Sequence, residues 1–136
     1  MKLDMLRGAR AVIVMDGEVL LGKRLKKDSF FGLWCTFGGG VEEGESPEQA
    51  LKRELGEELG IEPLNPRFLA MIEAPAEDDP GETVELHYFL VTEWKGEVQN
   101  RSEHSDIGWF KPDELKDLPM GRFGRKVVEQ YFAASP

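Results

Sequence analysis

The segment SPEQALKRELGEELG, Ser46 to Gly60, carries its own start, stop and buried face, and it constrains the fold more than any other stretch of the chain. Ser46 is a good N-cap, Pro47 suits the first helical position, and Gln49 completes a capping box three residues after the serine. Gly60 supplies the left-handed residue that ends such a helix. Between these limits Leu51, Leu55 and Leu59 recur at helical spacing, an apolar stripe suited to lie on a sheet. Glu54, Glu57 and Glu58 fall at i, i+3 and i+4 on an adjoining face, where like charges destabilise a bare helix by roughly a few tenths of a kcal/mol per pair. Gly56 removes about 1 kcal/mol more relative to alanine. A hard divalent cation held by the glutamates offsets these terms, and Mg²⁺ in particular prefers oxygen ligands and shares them with waters and phosphates. Arg53, beside Glu54, is placed to orient one carboxylate or to reach back to the preceding loop. An isolated E-x-x-E-E is most often a solvated helix face, so the glutamates alone decide nothing.

Composition narrows the class of ligand. The chain has 136 residues, 40% of them hydrophobic, which suits one globular domain burying roughly two-thirds of its unfolded surface. Its single cysteine, Cys35, makes no internal disulfide, and the opening residues lack the apolar run of a signal peptide or membrane span. A cytoplasmic protein without membrane contact is expected. A net charge of −9, from 26 acids and 17 bases, argues against polymeric nucleic acid, whose binding needs a basic surface to displace counterions. A phosphate ligand would therefore be met through a cation.

The remaining elements read as mixed α+β, with too few helices for a doubly wound sheet. Ala9 to Met15 and Glu18 to Leu25 form a hairpin around Asp16-Gly17. Lys26 to Gly32 reads as a polar loop and Leu33 to Phe37 as a short strand leading into the glycines. Arg67 to Glu73 and Thr83 to Trp94 are further strands, joined by an acidic loop, and Ile107 to Phe110 is a short one. Pro112 to Leu115 reads as one helical turn, and Arg122 to Ala133 has the apolar spacing of a terminal helix.

Taken whole, the pattern around the first helix is Gly39, five residues, Glu45, seven residues, Arg53-Glu54-Leu55, one residue, Glu57-Glu58, one residue, Gly60-Ile61. It matches the Nudix box at every defined position, over 39–61, so the chain resembles the Nudix hydrolase family, and MutT-like members in particular. The likeness runs on through Lys23 and Arg24 of a hairpin, the strand Leu33-Trp34-Cys35-Thr36-Phe37 before Gly38-Gly39, and Glu103, Trp109 and Asp113-Glu114-Leu115 before the last helix. Phe37 stands where many members have proline.

The resemblance implies a Nudix fold, an α/β/α sandwich around a mixed sheet, and hydrolysis of a nucleoside diphosphate linked to another group, with Mg²⁺ or Mn²⁺. It gives Glu54, Glu57 and Glu58 as metal ligands with the Gly39 carbonyl beside them, and Glu45 as the residue that fixes the loop or Arg53. Glu57, Glu103 and His104 compete to accept the proton of the attacking water. His104 enters because GDP-mannose hydrolases of the family use a loop histidine at that spacing from the tryptophan, although an intact box favours attack at phosphorus. A lone histidine in a polar loop is otherwise most often solvated. Gly38 and Gly39 are expected to lie against substrate. Of Lys23 and Arg24, which alternate on a strand, Arg24 is the expected phosphate contact.

Weaker signals receive plainer readings. Phe30, Phe31 and Trp34 either stack on a base or belong to the core, Glu77 to Glu82 is a solvated loop, and Cys35 is buried filler. The expected substrate is a ribo- or deoxynucleoside triphosphate, modified nucleotides included, cleaved to monophosphate and pyrophosphate. Oxidised guanine is not favoured, because MutT-like proteins read it with an asparagine near the terminal helix, where Arg122 stands here. A nucleotide sugar or ADP-ribose is the alternative substrate, and a non-catalytic nucleotide sensor the alternative class. The protein is expected to be a monomer or a homodimer.

Overall fold

The computed structural model describes residues 6–25, 31–76, 81–101 and 104–134. Strand β1 (Leu6–Met15) is the axis of the fold. Ala9, Ala11 and Ile13 alternate with Val12 and Val14, so both its faces are apolar and both are buried. Along Leu6 to Ile13 it pairs in parallel with β7 (Thr83–Val91), and its other edge pairs antiparallel with β4 (Phe37–Gly40). β6 (Arg67–Pro75) lies antiparallel outside β7.

At Val14 and Met15 the strand passes into β2 (Glu18–Arg24) through Asp16 and Gly17, whose φ of 53° and 78° are those of a two-residue I′ hairpin. β2 carries β3 (Trp34–Cys35) on one edge and β9 (His104–Phe110) on the other. β5 (Glu62–Pro63) and β8 (Trp94–Lys95) make a separate two-stranded ladder.

Helix α1 (Pro47–Leu59) covers one face of the sheet, its three leucines packing with Ala9, Ala11, Ile13, Phe37, Phe89 and Val91. Helix α2 (Arg122–Ala134) covers the other, with Val127 and Val128 against Val12, Val14, Tyr88 and Leu90. A 3₁₀ turn, Pro112–Asp117, leads into it and buries Leu115. The result is the expected α+β sandwich around a mixed sheet. No described helix is long and apolar enough to cross a membrane.

The structure departs from the sequence reading in several elements. The strand expected to end at Phe37 is divided into Trp34–Cys35 and Phe37–Gly40, and it runs on through the glycines because a backbone ladder to β1 needs no side chains. The strand from Thr83 ends at Val91, and Trp94 pairs instead with Pro63 of the unforeseen β5. β9 starts at His104, not Ile107, so this histidine stands on a strand. Cys35 is half-buried rather than filler. Residues 26–30, in the polar loop, and 77–80, in the acidic loop, lie outside the described residues, as do Phe30 and Glu103.

Candidate active site

The glycines of β4 let the carboxylates of α1 settle onto backbone. A Cβ on Gly39 would stand 2.4 Å from the Glu54 carboxyl group, so that carboxylate occupies the space a side chain would fill. One residue earlier, the Gly38 N–H donates to Glu58 Oε1 at 2.9 Å. Gly38 itself is packed against β1, where a Cβ would come within 2.0 Å of the Ala9 carbonyl oxygen, and its φ is +149°. No other residue fits at either position without displacement of a neighbour.

Arg53 ties the helix to the loop before it. Its Nε and Nη2 donate to the two oxygens of Glu45 at 2.8 and 3.0 Å, its Nη1 to Glu54 Oε1 at 2.9 Å, and its Nη2 also to the Gly40 carbonyl at 2.9 Å. Glu45 in turn accepts from the Glu42 N–H at 2.9 Å. The paired guanidinium, and then that amide, hold the Glu45 carboxyl down to about 2, and the same bond raises the Arg53 guanidinium further above its usual range. Glu57 is 61% exposed and reaches Arg53 Nη1 at 3.6 Å.

Burial pushes the Glu58 carboxyl up to about 7, with the Glu54 charge acting in the same sense and Arg10, the Gly38 amide and Arg24 opposing it. The donor set at this point is hard oxygen, two half-buried carboxylates that repel one another, and the fit to a small divalent cation is good. Among the described residues no three His, Cys, Asp or Glu side chains already close on a single point, since Glu54 and Glu57 turn toward Arg53.

His104 lies across from Arg24 in the β2 to β9 ladder, at a register shift. Its ring packs 4.9 Å from that of Phe37 and fills the space over Gly22, where a Cβ would meet Cδ2 at 2.7 Å. Burial, then the charges of Arg10 and Arg24, lower its pKa to about 4, so the imidazole is neutral at pH 7. The half-buried Arg24 joins a cleft on the α2 side of the sheet, whereas Lys23 is exposed. Trp34 packs edge-on against Phe110 at 4.9 Å and belongs to the core, while Phe31 is 53% exposed.

That cleft brings in residues the sequence reading missed. Arg10, Thr36 and Tyr88 line it from the sheet, and Phe123 and Gly124 from the start of α2. Arg10 sits beside Tyr88 and Gly38 in the strand ladders, and its charge acts on both Glu58 and His104, so the cleft lies within electrostatic reach of the carboxylates. A signal was present in the sequence: an arginine inside the apolar run ARAVIV is rarely buried without a role. Arg122, where an asparagine would read oxidised guanine, is exposed and lies over the Phe123 ring at 4.7 Å.

A mixed sheet between two helices, with carboxylates laid over a glycine strand and an arginine-lined cleft nearby, is an arrangement whose donors suit a divalent cation and a phosphate ligand. The sequence model of the NUDIX domain matches residues 5–131, and the chain belongs to the Nudix family. It is 34% identical over 131 residues to the CTP pyrophosphohydrolase of Escherichia coli (strain K12), covering 96% of this chain and 94% of that protein. It is 38% identical over 91 residues to the 8-oxo-dGTP diphosphatase of Proteus vulgaris, covering 67% of this chain and 79% of that one. Among solved structures, the solution structure of the E. coli ORF135 protein superposes with a TM-score of 0.83 at 34% identity, covering 96% of this chain and 91% of that chain.

Proposed function

We propose that this single Nudix domain is a Mg²⁺-dependent nucleoside triphosphate pyrophosphohydrolase, in which water cleaves the anhydride between the α and β phosphates to give a nucleoside monophosphate, pyrophosphate and a proton. The observation that carries the reading is the seating of the Glu54 and Glu58 carboxylates on Gly39 and Gly38, with Arg10, whose charge acts on Glu58, lining a cleft that Arg24 and Phe123 also line. The match to a CTP pyrophosphohydrolase along nearly the whole chain supports it.

Glu54, Glu57 and Glu58, with the Gly39 carbonyl, would hold the cation. When bound, Mg²⁺ neutralises phosphate oxygens and makes a coordinated water more acidic. Arg24 binds phosphate from the cleft side, and Glu45 keeps Arg53 in place to orient Glu54. Two described groups are able to take the water's proton, the exposed Glu57 and the neutral His104. Glu103 is the third assignment.

The reading is tested by pyrophosphate release from ribo- and deoxynucleoside triphosphates, 8-oxo-dGTP, ADP-ribose and GDP-mannose, with Mg²⁺ and with Mn²⁺. Turnover of triphosphates that falls at least a hundredfold in Glu57→Gln is expected, a hundredfold being the usual scale for loss of a proton-transfer group. Turnover confined to ADP-ribose or GDP-mannose would sink the triphosphate reading, and binding without turnover would make the protein a sensor. Glu103→Gln and His104→Gln, assayed beside it, assign the proton acceptor.

A further inference from the structure

Arg10 is a charged residue on a strand whose buried neighbours are apolar, and Thr36, 2% exposed, is the buried polar residue of the described core. The two are joined. Arg10 Nε donates to Thr36 Oγ1 at 3.2 Å and Arg10 Nη2 to the Thr36 carbonyl oxygen. Nε and Nη2 share one edge of the planar guanidinium, so Thr36 occupies that edge and fixes the plane. Thr36 Oγ1 and the Tyr88 hydroxyl both border the space beside Gly124 at the start of α2. The other fork, Nη1–H with the second Nη2–H, has no acceptor among the described residues, and the side chain lines the cleft.

A held fork with two parallel N–H groups suits a ligand edge with two adjacent acceptors. Phosphate has such an edge, but Leu86, Tyr88 and Phe123 line the same cleft, and apolar and aromatic walls suit a flat ring. Cytosine offers O2 beside N3, and guanine offers O6 beside N7. Adenine sets an amino group beside each ring acceptor on those edges, and uracil sets N3–H between its carbonyls, so both confront the fork with a donor. Guanine oxidised at C8 carries a hydrogen on N7 and loses the pair.

Resting on the nucleotide-hydrolase reading, we propose that Arg10 is the base-reading residue of this site and selects nucleotides of cytosine and unoxidised guanine over those of adenine, uracil and 8-oxoguanine. Discrimination arises because a wrong base leaves a fixed, desolvated donor unpaired.

The test compares wild type with Arg10→Lys, which keeps the charge without the fork, and Arg10→Ala, by kcat/KM for CTP, GTP, ATP and UTP. In both variants the preference for CTP and GTP over ATP and UTP is expected to fall about ten- to a hundredfold, the worth of one bidentate base contact, whatever common loss follows from changing the charge that acts on Glu58. An equal loss for all four nucleotides, restored by lysine, would make Arg10 a phosphate contact and overturn the proposal, as would unchanged ratios. Binding of the same nucleotides with Ca²⁺, followed calorimetrically, reads the ratios without turnover. A wild type that binds with the expected preference yet hydrolyses nothing overturns the enzyme reading alone, and one that binds none of the four overturns both.

Discussion

Two adjacent glycines in β4 do different work, and single methyl groups separate them. At Gly39 the added Cβ meets the far end of the flexible Glu54 side chain, whereas at Gly38 it meets the backbone of Ala9 at 2.0 Å with φ at +149°. Gly39→Ala is therefore expected to fold with a loss of no more than about 1 kcal/mol while activity falls at least tenfold, because Glu54 is driven from its seat. Gly38→Ala is expected to lose several kcal/mol, a loss of the kind strain and overpacking produce. Urea unfolding and pyrophosphate release on the two variants check this; a Gly39→Ala protein with full activity would show that the position of Glu54 is irrelevant to the chemistry. Spacing in the sequence marked both glycines, but their partners were invisible there, because Ala9 and Glu54 reach them only through the β1 ladder and the packing of α1.

Helix α1 was the most legible element, since everything that defines it is local. The Ser46 hydroxyl accepts from the Gln49 N–H at 3.1 Å, the Gln49 side chain returns to the Ser46 N–H at 2.8 Å, and Gly60 closes the helix at φ 71°. The same locality isolates Gly56, the one helix-interior position whose residue opposes the helix. A Cβ there meets nothing nearer than the Ile61 carbonyl oxygen at 4.0 Å, so Gly56→Ala is expected to stabilise the protein by about 1 kcal/mol, measured as a higher urea midpoint with unchanged slope. A lower midpoint would mean that α1 bends at Gly56. β4 and β5 were illegible for the opposite reason: glycine and proline carry little strand signal, and both strands exist through partners distant in the chain, β4 on β1 and β5 on β8. The site divides the same way, its carboxylates readable from helical spacing and its Arg10, Thr36 and Tyr88 wall assembled from three separate strand regions.

At the scale of the whole molecule, two shifted groups oppose one another in their effect on stability. His104 has its pKa lowered from 6.5 to about 4, so the unfolded chain takes its proton first and stability falls as pH drops from 6.5 toward 4. Glu58 has its pKa raised from 4.5 to about 7, so the folded chain takes the proton first and stability rises as pH drops from 7 toward 4.5. In metal-free buffer the two contributions cancel in sign through the shared window, and Glu45, held near 2, enters only below it. Wild-type stability is expected to vary little between about pH 6.5 and 4.5; His104→Asn is expected to grow more stable on acidification and Glu58→Gln less, by urea unfolding in EDTA. Parallel slopes in all three proteins would refute the assignment of these shifts. A last consequence lies in the order of synthesis. β1 is made well before its parallel partner β7, which begins at Thr83, and Phe89 and Val91 supply part of the surface on which α1 rests. The most self-sufficient helix in the chain is thus made before its seat is complete, and its leucine stripe must wait for a strand finished some thirty residues later, at a translation rate of about 5–20 residues per second. The glutamate-bearing helix is in this sense ready early and seated late.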